Sequence, residues 1–88
     1  MSNTQEILKA IINNKQKLAI YFRNRIKGFK KKSDYFTYCD INGYLIDASI
    51  VLNLPGLETG DVDDIVFQYL DGIFQREADK LLFNVRMH

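Results

Sequence analysis

The feature that most constrains the fold of this 88-residue chain is an apolar repeat between residues 62 and 74. Val62, Ile65, Val66, Tyr69, Leu70, Ile73 and Phe74 recur at i, i+3, i+4, i+7, i+8, i+11 and i+12. That spacing lines one broad face of an α-helix, and such a face must be buried against something. Asp61 reads as its N-cap, with Asp63 and Asp64 at the positive end of the helix dipole. The helix is expected to end near Ala78. Beyond it, Leu81, Phe83, Val85 and Met87 alternate as a strand does, while Ala78, Leu81, Leu82 and Val85 continue the helical phase. The strand is favoured for residues 79–88.

The partners of this helix are read from the preceding residues. Ile7, Leu8, Ile11 and Ile12 share a face in a helix from about Asn3 to Asn13, capped by Asn3 or Thr4 with Glu6 in the reciprocal position. Residues 17–30 fit two patterns. Leu18, Ile20 and Phe22 alternate with polar neighbours as in a strand, and Leu18, Phe22, Ile26 and Phe29 form a helical stripe. The strand is preferred because Ile20, Tyr21 and Phe22 suit a pleated surface. Tyr35–Asp40 and Tyr44–Leu52 flank Ile41-Asn42-Gly43, and Asn-Gly is the favoured pair for a tight hairpin turn. In the second arm Ile46, Ala48, Ile50 and Leu52 would face one way, with Asp47 and Ser49 opposite. Pro55, Gly56 and Gly60 mark a loop. The expected fold is therefore α+β, a single domain over residues 1–88. Its order is α-β-β-β-α-β, with helices packed on an antiparallel sheet. The alternative is α-β-β-α with long helices.

The chain is 47% hydrophobic, which separates it from disordered sequences. One cysteine, Cys39, forms no internal disulfide and suits a reducing compartment. Residues 7–12 are too short and too charged for a signal peptide, and no apolar run spans a membrane. The expected location is cytoplasmic. Candidate chemistry is sparse. Glu58, Asp61, Asp63 and Asp64 lack the spacing of a calcium loop, and helix capping accounts for Asp61 and Asp64. Cys39 and the sole histidine, His88, are the barest version of a thiol–imidazole pair. No catalytic residue, metal or cofactor is expected. Gly72, beside Asp71, interrupts the last helix; it either admits a close backbone neighbour or is a tolerated exposed glycine.

Charge carries the functional signal. Residues 1–32 hold nine basic side chains against one acidic, a net of +8, and residues 33–79 hold ten acidic against one basic, a net of −9. The densest cationic run holds Arg23, Arg25, Lys27, Lys30, Lys31 and Lys32, with aromatic residues nearby. Such a run suits phosphates or an acidic partner. The apolar residues Tyr21, Phe29, Phe67, Tyr69, Phe74 and Leu82 exceed what a small core readily buries, and an unburied apolar patch marks an interface. The expectation is a small non-enzymatic binding protein that acts through protein–protein contact, as a regulator or inhibitor of a larger partner or by self-association. Nucleic-acid binding through residues 23–32 is the alternative.

Overall fold

The computed structural model describes residues 3–83, with the side chains of Leu82 and Phe83 excepted. Five α-helices follow one another: α1 (Thr4–Asn13), α2 (Lys15–Lys27), α3 (Lys32–Asp40), α4 (Gly43–Val51) and α5 (Asp64–Ala78). A short 3-10 turn, Leu57–Thr59, lies between α4 and α5, and a π-helical turn, Asp79–Phe83, follows α5. No strand occurs among the described residues, which overturns both the α+β expectation and its α-β-β-α alternative.

The two outer helices follow the local signals. Asn3 caps α1, its Oδ1 accepting from the Glu6 backbone N–H at 2.8 Å. The α1–α2 break falls at Asn14, whose backbone N–H and side-chain Nδ2 both donate to the Ala10 carbonyl. Helix α5 runs to Ala78 as expected, but begins at Asp64 with Asp63 in the capping position, later than the expected Asp61. The Asp63 carboxylate accepts a hydrogen bond from the Thr4 hydroxyl, which joins the starts of α1 and α5.

The middle of the chain departs from expectation for a packing reason. In α2 the buried residues are Leu18, Phe22 and Ile26, a spacing of four. Ile20, which a strand would place beside Leu18 and Phe22, is 54% exposed. In α4, Leu45 and Ala48 are fully buried while Ile46 and Ile50 face solvent, so the alternation read there is an α-helical surface instead. Helix α3 carries Tyr38 inward. The expected strand over 79–88 is overturned as far as Phe83 by the π-helical turn, and residues 84–88 lie outside the described residues.

The Asn-Gly turn survives in a different role. Asn42 has φ 52°, the left-handed conformation its type tolerates, but Gly43 is the first residue of α4. Gly43 is needed for space: a Cβ there would fall 2.3 Å from two ring carbons of Tyr38. The pair thus closes a helix–helix corner in which α3 and α4 approach at a glycine.

Helix α5 forms the centre of the domain, packing against α1, α2 and α4. Its Val66, Leu70 and Phe74 are fully buried with Ile11, Leu18, Phe22 and Leu45. Phe74 gathers the aromatic residues. Phe22 meets it edge-on at 5.7 Å, Tyr35 stacks at 5.9 Å and Tyr38 lies 4.9 Å away. Such pairs add directional preference to the burial of large apolar area.

Candidate interaction groove and the charged pairs beside it

Two of the six cations in the basic run are committed inside the domain. Arg25 on α2 donates from Nε and Nη2 to the two carboxylate oxygens of Asp47 on α4, at 3.1 and 2.9 Å. The Tyr38 hydroxyl donates to the same carboxylate at 2.7 Å. Asp47 is only 2% exposed, a depth at which a carboxylate is stable only with partners. Burial first, and then the bond to Asp47, push the Tyr38 hydroxyl far above its ordinary range, so it remains a proton donor. The hydrogen bond to Asp47 raises the affinity of Arg25 for its proton.

Arg23 is held similarly. Its Nε donates to Glu77 of α5 at 2.9 Å, and Lys80 reaches the other Glu77 oxygen at 3.4 Å. Burial alone would push the Glu77 carboxyl up, but the bonds from Arg23 and Lys80 outweigh it and hold the carboxyl below its usual 4.5. A carboxyl with a depressed folded-state pKa contributes stability above its unfolded value, and that stability is lost as pH falls through the folded value. Glu77→Gln should therefore weaken the fold by about 1–2 kcal/mol at neutral pH. It should also flatten the loss of stability on acidification below pH 4.5. Urea unfolding across a pH series measures both, and parallel acid limbs in the two proteins would refute the assignment.

The other four cations, Lys27, Lys30, Lys31 and Lys32, are exposed around the corner between α2 and α3. The backbone N–H groups of Lys30 and Lys31 donate to the Asp34 carboxylate, which therefore occupies the start of α3. The run is the end of α2, a corner and the start of α3.

The apolar residues singled out in the sequence separate on folding. Phe74 is core, and Phe29 is partly buried between Tyr35 and Tyr38. Phe67 is partly buried and lies near Gly60, and Tyr21 is half-buried on α2. The Leu82 side chain lies outside the described ones. Of the members of this group whose side chains are described, Tyr69 alone lines an open trough of about 340 Å³, with Lys15, Ile65, Gln68, Gly72, Ile73 and Arg76.

This trough follows a helical line. Ile65, Gln68, Tyr69, Gly72, Ile73 and Arg76 succeed one another along α5 at i, i+3, i+4, i+7, i+8 and i+11, and Lys15 comes from the start of α2. At 1.5 Å per residue the line is about 16 Å long. Ile73 is buried and forms the floor, while Ile65 and Tyr69 are 43% and 44% exposed. A Cβ at Gly72 would meet nothing within 4 Å, so no backbone packs closely there. Gly72 instead leaves the middle of the trough open. None of the seven lining residues is acidic, and neither Lys15 nor Arg76 has an ion pair among the described residues.

The remaining candidates are placed as follows. Cys39 is partly buried, and burial pushes its thiol up, away from the reactive thiolate. His88 lies outside the described residues. Both Glu58 carboxylate oxygens accept from the Gly56 backbone N–H, closing the loop before α5. No cluster of three or more His, Cys, Asp or Glu side chains suited to a metal occurs among the described residues, and no helix there is long and apolar enough to cross a membrane.

The chain matches no family model, no curated protein and no solved structure.

Proposed function

We propose that this chain is a small non-enzymatic protein that works in the cytoplasm by docking on a partner protein, and that the trough along α5 is its docking surface. The observation that carries this reading is the half-exposed Ile65–Tyr69 pair beside the gap at Gly72, which share one trough with the buried Ile73 as its floor. Ile12, Ile20, Phe36, Ile41, Ile46 and Ile50 are also exposed, but none of them lines this trough. Apolar surface left open in this way marks interaction sites. Tyr and Arg, both present in the trough, are enriched where interfaces concentrate their binding energy.

The nucleic-acid alternative is carried less far. Arg23 and Arg25 are committed to buried carboxylates, so the free run shrinks from six cations to Lys27, Lys30, Lys31 and Lys32. Fewer phosphate contacts mean a smaller counterion-release contribution.

A photo-crosslinking amino acid at position 69, in cells expressing the full chain, tests docking. The expected result is a discrete protein adduct that is absent when the probe sits at exposed position 58, and that is lost on Gly72→Leu. That substitution fills the trough without touching the core. Adducts shared equally by both positions would refute the reading.

A further inference from the structure

We infer that the occupant of the trough is an acidic amphipathic helix of the partner. It places a leucine-like stripe over Gly72, between Ile65, Tyr69 and Ile73, and carboxylates against Lys15 and Arg76. This rests on the docking reading and deepens it.

Three observations lead to a helix. The trough is a straight line about three turns long on the outside of α5, which suits an occupant of the same repeat. From Gln68 to Arg76 its wall is the body of α5, where backbone N–H and C=O groups are paired along the helix and leave no row for an extended segment to join. A strand seated there would leave one side of its own backbone unpaired and partly desolvated, whereas a helix brings its hydrogen bonds with it. The one wide point, at Gly72, takes a side chain from outside: it has no Cβ, and nothing lies within 4 Å of where one would stand.

The charge of the occupant follows from the lining. Lys15 and Arg76 are exposed and without ion pairs among the described residues, and no carboxylate lines the trough to neutralise them. A basic helix would be repelled. An acidic one gains attraction that steers its approach and sets its register. Arg76 adds a planar fork able to hold a carboxylate through two hydrogen bonds.

Two fluorescein-labelled synthetic helices about four turns long test this. One carries leucine at i, i+3, i+4 and i+7 flanked by glutamate; the other replaces every glutamate with lysine. Each is titrated with the full chain by fluorescence anisotropy. The glutamate helix is expected to bind about tenfold more tightly, equivalent to about 1.4 kcal/mol. The preference should reverse in Lys15→Glu/Arg76→Glu and shrink at high salt, where exposed charges are screened. Binding should fall about tenfold in Gly72→Leu, whose circular dichroism and unfolding midpoint report whether the fold is retained. Equal binding of both helices, still lost in Gly72→Leu, would overturn the acidic occupant and leave the docking reading standing. Binding that ignores Gly72→Leu, or no binding of either helix, overturns the inference. The docking reading is judged separately by the crosslink at position 69.

Discussion

Arg25→Met is expected to destabilise the domain by about 3 kcal/mol at neutral pH, a large part of the roughly 5–15 kcal/mol that holds a small domain together. The reason is asymmetry between the partners. Arg25 has 46% of its side chain in solvent, so it can be hydrated without Asp47. Asp47 cannot follow it there. Once Arg25 is gone, a nearly fully buried carboxylate keeps only the Tyr38 hydroxyl. Removing one member of a buried pair leaves the desolvation of the other uncompensated. The half-exposure of Arg25 puts the expected loss at the low end of the range for buried pairs. Replacing the whole group, as Arg25→Met/Asp47→Leu/Tyr38→Phe, should recover most of the loss, because no buried polar atom is then orphaned. Urea unfolding followed by circular dichroism decides this. A single variant within about 0.5 kcal/mol of wild type, the scale of ordinary surface changes, would refute the account.

Gly43→Ala should lower stability by about 2–3 kcal/mol, although alanine is the better helix former by about 1 kcal/mol. The added methyl would overlap the ring of Tyr38 at 2.3 Å, a distance that real Cβ atoms essentially never show. The ring has little freedom to yield. It is 4.9 Å from the Phe74 ring, 5.6 Å from that of Phe29, and its hydroxyl is bound to Asp47. In a Tyr38→Leu background the same substitution should be much less damaging, because the atoms it strikes are gone. A double-mutant cycle on thermal unfolding measures this coupling. Stabilisation by Gly43→Ala in the wild-type background would show that helix propensity outweighs the contact.

The same corner shows why the sequence misdirects in the middle of the chain. Asn-Gly carries two separate requirements that one dipeptide satisfies: a left-handed residue at Asn42 and an absent side chain at Gly43. Only the first is a property of local backbone, and it fits a turn between helices as well as one between strands. Ile20, Tyr21 and Phe22 likewise favour a pleated surface in isolation, but the spacing of Leu18, Phe22 and Ile26 finds a long apolar partner in α5 and prevails. Where a single pattern was present, as in α1 with its Asn3 cap and in α5 up to Ala78, the elements were legible.

The candidate site was legible only in part. Tyr69 stood out as a large residue in excess of the core, and Ile65 and Ile73 belonged to the visible stripe. Lys15 gave no local sign that it would meet α5, because only the tertiary fold brings the start of α2 there. Arg23 and Arg25 looked like free charge for a related reason. Their carboxylates lie 54 and 22 residues away, beyond any window in which charges are counted along a chain.

Those two arginines also bear on what the proposed partner would meet at α5. Residues 23 and 25 are two apart on a helix and so point about 200° apart around its axis. One is fastened to α5 through Glu77 and the other to α4 through Asp47. A twist of α2 in either direction strains both fastenings, and a slide along its axis breaks their register. The helix is thereby locked in rotation as well as in position, and with it Lys15, which α2 contributes to the trough wall. A partner would meet a receptor whose shape is set before contact. Little ordering entropy is then spent on assembly, and affinity is decided by how well the incoming surface fits.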